Sequence, residues 1–173
     1  SPRQFKRMNL KDLLIRKAAE AGVPHGRIQI EITETALFEN AANAIAVMQD
    51  LKAAGFRIAI DDFGTGYSSL QWIRHLALDC IKIDKSFVDD VGENDASRAI
   101  VSSIAHLANG LGLTVVAEGV ETEAQHRALR AVGCSHLQGF LFGAAEGIGD
   151  VAARISDQTR APDRAAAQVG KAG

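Results

Sequence analysis

Asp61 and Asp62 stand side by side at the end of the apolar run Ile58-Ala-Ile60, and a loop with Gly64 and Gly66 follows at once. A short apolar strand that delivers paired carboxylates to a glycine-containing loop suits the mouth of an α/β barrel or open sheet, where chemistry usually sits. The same residues also suit a plain strand end with an Asp N-cap and a tight turn. The rest of the chain decides between the two readings.

Side chains alternate faces along a strand. Five runs read as strands: Ile28–Thr33, Arg57–Asp61, Cys80–Asp84, Thr114–Glu118 and, more weakly, Cys134–Phe140. In each, an apolar set such as Ile28, Ile30 and Ile32, or Ile81 and Ile83, shares one face. The opposite face carries Glu31, Asp61, Lys82, Glu118 and Gln138, all at or near C-terminal strand ends. In a barrel those ends form one rim, so the polar residues should converge. Crowded carboxylates would raise one another's pKa values, and a divalent cation resolves that repulsion. Oxygen-only ligands favour Mg²⁺ or Mn²⁺ over Zn²⁺. The competing expectation is a salt-bridged rim in which Lys82 neutralises the acids. The Asp61–Asp62 pair suits a two-metal site, with Asp61 bridging ions roughly 3.5–4 Å apart and Asp62, past the strand end, turning back to one of them. Such sites commonly serve phosphoryl chemistry, with Lys82 holding the attacking water or a phosphate oxygen. The plainer role for Lys82 is an ion pair with Asp84 or Glu118.

The elements that must position these residues follow from periodicity and punctuation. Helical spacing runs over residues 5–21 through Phe5, Met8, Leu13, Leu14 and Ala18, and Gly22 stops it. Asn40 can cap a helix through Ile45, Met48 and Leu51 that Gly55 ends. A short amphipathic segment covers Ser68–His75. Asn94 can cap a helix carrying Ile100, Ile104, Leu107 and Leu111. Thr122 with Gln125 forms a capping-box pattern for a helix stopped by Gly133. A last helix is expected near Asp150–Ser156, and residues 157–173, rich in Ala, Arg and Gln without an apolar period, read as a disordered tail. Strands alternating with helices imply parallel pairing with right-handed crossovers.

The 173 residues suffice for one domain with a real core. A net charge of −2 leaves no electrostatic footprint for duplex nucleic acid. No apolar run reaches transmembrane length and no signal-peptide pattern opens the chain. The chain opens on Ser1 rather than Met, which suits a processed form or a fragment. Cys80 and Cys134 lie in strand-like runs and read as buried thiols of a reducing, cytoplasmic compartment. The five histidines lack zinc-like spacing and read as surface or packing residues.

With these residues in hand, the chain resembles the EAL-domain family of cyclic-di-GMP phosphodiesterases. The matching stretches are Glu31-Ile-Thr-Glu34, Asp61-Asp-Phe-Gly-Thr-Gly-Tyr-Ser68, Ile81-Lys-Ile-Asp84 with Ser86-Phe-Val88, Ala117-Glu-Gly-Val-Glu121 and Gln138-Gly-Phe-Leu-Phe142, in family order over roughly residues 1–143. The resemblance implies a TIM-like barrel that hydrolyses cyclic-di-GMP to linear pGpG with Mg²⁺ or Mn²⁺ in a two-metal site. By similarity, Glu31 and Asp61 would ligate one ion, and Asp61, Asp62 and Glu118 the other. Lys82 would contact the attacking water, Gln138 would orient water or phosphate, and Glu121 would support the site from behind. Glu34 would brace the loop after Asp62, with Gly64 and Gly66 as its turn formers. For Glu34 and Glu121, charge pairing with a helix N-terminus is the plain alternative. EAL domains often follow a sensory or cyclase domain, and a homodimer is compatible with the pattern.

Two departures shape the expectation. No Glu-Ala-Leu strand and no Asn ligand precede Ser1-Pro-Arg-Gln-Phe5, so the expected fold is a partial (β/α) barrel with five of eight strands. The missing part would carry three strands and two metal ligands. Gly143-Ala-Ala-Glu-Gly147 stands where the family usually has a basic residue and a proline, so Ala144 and Ala145 alter a substrate-side loop. Residues 1–156 are expected to form the C-terminal part of the domain, with little hydrolysis by this stretch alone. The competing functions are a non-catalytic module that binds cyclic-di-GMP or a protein, an enolase-like metal enzyme, and a structural piece that associates through its open sheet edge.

Overall fold

The computed structural model describes residues 10–39, 41–66, 73 and 76–155. Residues 5–9 of the expected first helix, the Asn40 cap, most of the Ser68–His75 segment and the 157–173 tail lie outside them. The chain divides into two compact units, Ser1–Phe142 and Gly143–Gly173.

Among the described residues, the first unit is built on five parallel strands: β1 (Gln29–Thr33), β2 (Arg57–Phe63), β3 (Cys80–Ile83), β4 (Thr114–Ala117) and β5 (His136–Leu137). They pair in strict sequence order, each with its chain neighbour. Such an order never reverses, so the sheet has no switch point of the open doubly wound kind. It winds one way, as a (β/α) barrel does, and the fold is a partial TIM-like barrel. The helices are α1 (Leu10–Ala21), α2 (Glu34–Glu39), α3 (Ala41–Ala53), α4 (Lys85–Val88), α5 (Asp95–Gly110) and α6 (Glu123–Ala131), with one 3₁₀ turn at His25–Arg27.

Strand parity determines where the core sits. Ile32, Ile58, Ile60, Ile81, Ile83, Val115 and Ala117 join one buried cluster with helix residues such as Met48, Leu51, Val101, Ala105 and Leu129. Their strand neighbours Glu31, Ala59, Lys82 and Val116 lie outside that cluster, on the other face. Each fully buried aliphatic side chain contributes about 1.5–3 kcal/mol, so this layer holds the strands in register under the polar rim. The helix ends follow local chemistry. Asn94 accepts from Ala96 N–H and Ser97 N–H, and Thr122 and Gln125 form the full reciprocal capping box.

Several elements differ from the sequence reading: β1, β3 and β4 are each one residue shorter, and four other differences have a visible cause. β2 continues through Asp61 and Asp62 to Phe63. β5 shrinks to two residues because Ser135 Oγ donates to Val115 O (2.9 Å) and accepts from Val115 N–H (3.1 Å), occupying the place of a ladder partner. α2 and α4 are helices of six and four residues, too short to show a 3.6-residue period. Thr33 Oγ1 starts α2 by accepting from Ala36 N–H at 3.4 Å, and Asp84 caps α4 by accepting from Ser86 N–H at 3.0 Å. In the second unit, residues 148–155 are helical and Glu146 pairs with Arg154.

The N-terminal edge of the sheet is fastened by a residue that periodicity does not mark. Asp79 N–H donates to Ile58 O and its carbonyl accepts from Thr114 N–H, both at 2.9 Å. Its carboxylate accepts from Ile58 N–H at 2.8 Å and pairs with Lys52 of α3. Burial alone would raise this carboxyl's pKa. The Lys52 and Ile58 hydrogen bonds and the charges of Lys52 and Arg57 outweigh it and hold the group below the ordinary 3.8. A lowered folded pKa stabilises the fold above the unfolded value and loses that contribution as pH falls through the folded one. Asp79→Ala should therefore cost about 2–3 kcal/mol at pH 7. In thermal melts across a pH series, the gap to the wild-type chain should narrow steadily below the ordinary value.

Candidate metal centre

Lys82 points from the middle of β3 to the non-helical face, where its side chain is 8% exposed and its ammonium gathers acids from or just beyond three strands. Nζ lies 2.8 Å from Glu31 Oε2 at β1, 3.0 Å from Asp61 Oδ1 at β2 and 2.8 Å from Glu118 Oε1 just past β4. The strand ends converge because in-register pairing sets Thr33 beside Asp61, and Ile83 beside Ala117. Burial pulls the lysine's pKa down. Its contacts with Glu118, Glu31 and Asp61 more than reverse this, so it stays charged well above the ordinary lysine value. Of the two plain partners expected for Lys82, Glu118 is present. Asp84 instead turns away to cap α4, accepting from Ser86 Oγ at 2.5 Å.

Asp61 and Asp62 reach the same place by a distortion. β2 and β3 pair as Ala59↔Cys80 and Ile60↔Ile81, then slip so that Phe63 sits beside Ile83. Two residues, Asp61 and Asp62, thus face the single Lys82, which is a β-bulge. Asp62 absorbs it with φ +53, the sole non-glycine positive φ among the described residues. In a regular strand adjacent side chains would diverge. Here Asp61, Asp62 and Glu118 offer oxygens all within 4.8 Å of one another. Asp62 is therefore brought in from within the strand rather than from beyond its end. Its carboxyl is pushed above the ordinary value by burial first, then by the charges of Asp61 and Asp84, against the opposing pull of Lys82.

Among the described residues, four carboxylates (Glu31, Asp61, Asp62, Glu118) against one ammonium leave three formal negative charges at this rim. Like charges about 4 Å apart repel by about 4 kcal/mol at an effective dielectric of 20, less where solvent screens them. Asp61 Oδ1 is also buried without a hydrogen bond. Its near neighbour is the Lys82 ammonium, an ion-pair contact at 3.0 Å. A buried carboxylate oxygen with electrostatic but no directed partner, in an all-oxygen donor set, fits a hard divalent cation.

The loop after β2 is held from below. Glu34, 1% exposed, accepts through Oε2 from Gly64 N–H (2.9 Å) and Gly66 N–H (3.3 Å). Gly64 has φ +99, and a Cβ there would meet the Phe87 ring at 2.8 Å, so both backbone and space require glycine. Glu121 pairs with Lys85 at 2.6 Å. Gln138 is exposed and bonds through its backbone to Ala117 and Val120. Residues that sequence reasoning passed over are Lys85, Gln125 as more than a cap, and Asp84 as the neighbour that raises Asp62. The capping-box pattern is the sequence signal for Gln125, and the Ile81-Lys-Ile-Asp84 stretch that for Asp84.

A one-way parallel sheet with acids and a lysine at its C-terminal rim defines a partial (β/α) barrel whose rim residues could hold a divalent cation. The EAL domain model matches residues 1–145. An uncharacterized protein of Azorhizobium caulinodans is 48% identical over 141 residues, covering 82% of this chain and 19% of its own length. The bifunctional diguanylate cyclase/cyclic di-GMP phosphodiesterase MucR of Pseudomonas aeruginosa is 39% identical over 140 residues, 81% of this chain and 20% of that protein. Among solved structures, a c-di-GMP complex of the PaMucR phosphodiesterase superposes with a TM-score of 0.83 at 37% identity, covering 87% of this chain and 61% of that one. A manganese/cy-diGMP complex of Klebsiella pneumoniae BlrP1 gives 0.77 at 36% identity, covering 81% and 36%. The chain belongs to the EAL domain family. It spans about a fifth of the length of these curated relatives.

Asp62→Asn keeps a side chain that tolerates positive φ and removes a charge that burial and two acids oppose. A carboxyl with a raised folded pKa weakens the fold once pH passes its unfolded value. The metal-free variant should therefore melt at or above the wild-type temperature at pH 7, while Mn²⁺ affinity by calorimetry falls about tenfold or more.

Proposed function

We propose that this chain carries the cation- and water-handling part of a phosphodiesterase that opens cyclic-di-GMP to linear pGpG. The observation that carries the reading is the Lys82-centred group of Glu31, Asp61, Asp62 and Glu118, in a chain whose relatives include a named cyclic di-GMP phosphodiesterase. Asp61, Asp62 and Glu118 would hold one divalent cation, Mg²⁺ or Mn²⁺, and Glu31 with Asp61 would contribute to a second. Bound cations would supply charge neutralisation at the phosphate and make water a better nucleophile at neutral pH.

The chain's own groups do the rest. Lys82, kept charged, either holds the attacking water in line with the bond that breaks or binds a non-bridging phosphate oxygen to the side of that line. The water oxygen forms a new bond to phosphorus as the P–O3′ bond opens. Water gives up a proton and the departing ribose oxygen gains one. Gln138 orients water or phosphate at the rim, Glu34 keeps the Gly64–Gly66 loop in place, and Glu121 acts from behind through Lys85. The BlrP1 complex with manganese and cyclic-di-GMP supports this choice of cation and substrate.

A cyclase or sensory domain joined to this one, as the name of MucR suggests, and a homodimer complete the proposed setting. No helix among the described residues is long and apolar enough to cross a membrane. Both cysteines are free and buried, which suits a working place in the reducing cytoplasm.

Five described strands leave β1 and β5 as sheet edges, so the rim is held from fewer sides than in a closed barrel. Incubation of the 173-residue chain with cyclic-di-GMP and Mn²⁺ should yield pGpG slowly, about a hundredfold or more below a closed barrel of the family. Asp61→Asn should remove that activity. A product other than pGpG, or turnover unaffected by Asp61→Asn, would sink the reading.

A further inference from the structure

Glu118 reaches the metal group from a turn, not from regular strand: β4 ends at Ala117, and Gly119 follows with φ +71. The turn has to be held for the carboxylate to stay where it is. Val120, fully buried, donates to Gln138 O and accepts from Leu141 N–H, both at 3.0 Å. Beyond Val120 a single side chain makes three ties. Gln125 is 7% exposed. Its Oε1 accepts from Glu121 N–H at 2.8 Å and Thr122 N–H at 2.9 Å, and its Nε2 donates to Asp89 O at 3.0 Å.

A capping box requires only the Thr122 bond and its return from Gln125 N–H to Thr122 Oγ1. The bonds to Glu121 and Asp89 exceed that need. Asp89 is the C-cap of α4, the helix that follows β3 and Lys82 after one residue. Gln125 therefore ties the turn carrying Glu118 to the segment carrying Lys82. The nearby Lys85–Glu121 pair spans the same gap, but both side chains are nearly half exposed, so it adds little.

We propose that Gln125 is a positioning residue for the phosphodiesterase site: it sets the 2.8 Å contact of Glu118 with Lys82 and the place of Glu118 beside Asp61 and Asp62. The proposal rests on the function proposed above only for its metal readout. It predicts a loss of cation binding beyond any loss of stability, because an outer hydrogen bond that orients a ligand is typically worth 10- to 100-fold in affinity.

The test uses the whole 173-residue chain and Mn²⁺ alone, with binding followed by calorimetry. Gln125→Met keeps the side chain's length and removes all three bonds. Gln125→Glu keeps the acceptor bonds, loses the donor to Asp89, and serves if the Met variant fails to fold. Asp79→Ala, which weakens the opposite edge of the same sheet, is the control for stability alone. Gln125→Met should weaken Mn²⁺ binding about 10- to 100-fold, and Gln125→Glu should weaken it by less. Asp79→Ala should lower the melting temperature yet leave affinity within about twofold. Wild-type affinity in the Gln125 variants, or an equal loss in Asp79→Ala, would overturn the proposal.

A second readout needs no metal. Glu118 N–H donates to Ile83 O at 3.1 Å, three residues from the amides that Gln125 binds directly. Its hydrogen exchange should accelerate about tenfold or more in the Gln125 variants, with Val115 unchanged. Unaltered exchange at Glu118 overturns the proposal even if no chain binds Mn²⁺. Absence of Mn²⁺ binding by the wild-type chain counts instead against the function proposed above, leaving exchange to judge Gln125.

Discussion

Carboxylates from neighbouring strands can be crowded along one sheet edge only if something of opposite charge stands among them. In this chain Lys82 fills that role, its side chain 8% exposed and its ammonium within 3.0 Å of acids from β1, β2 and the end of β4. The rest of the unit serves to make that meeting possible. One-way parallel pairing puts the C-terminal strand ends side by side, and the aliphatic layer on the other face locks the register. A single ammonium does not balance four acids, so the rim keeps an excess of negative charge that a hard cation can meet.

The β-bulge at Asp61–Asp62 gathers this charged edge into a tight cluster of oxygens. Regular pleating would send the two carboxylates to opposite faces. The slip against Lys82 and the positive φ of Asp62 aim both at Glu118 instead. The arrangement costs backbone strain and like-charge repulsion, which fold stability alone would not favour. Local rules broken where ligands gather are the usual mark of a site shaped by function. The loop that follows is fixed by a buried Glu34 that accepts two glycine amides, so the strain is not relieved by fraying beyond Phe63.

Much of this is legible in the sequence. The alternation of Ile58 with Asp61's face, and of Ile81 and Ile83 with Lys82, was enough to place the polar set on one side. The strand–helix alternation was enough for a parallel sheet. What escaped has physical reasons. A bulge carries no periodic signal, so the sequence alone places Asp62 past the strand. α2 and α4 are shorter than two helical turns, so no amphipathic stripe can show. Asp79 and Gln125 act through backbone groups remote in sequence, and hydrogen bonds of that kind leave no pattern in composition. Ser135 shortens β5 by standing in for a main-chain partner, which no strand propensity anticipates.

The two thiols have a practical corollary. Cys80 and Cys134 are both almost wholly enclosed, and burial pushes each up to about 11, so neither is appreciably a thiolate near neutrality. They are the only cysteines in the sequence. An added surface cysteine would thus be the one fast target for a maleimide dye or spin label. The chain is ready for single-site spectroscopy with its native sulfurs left in place.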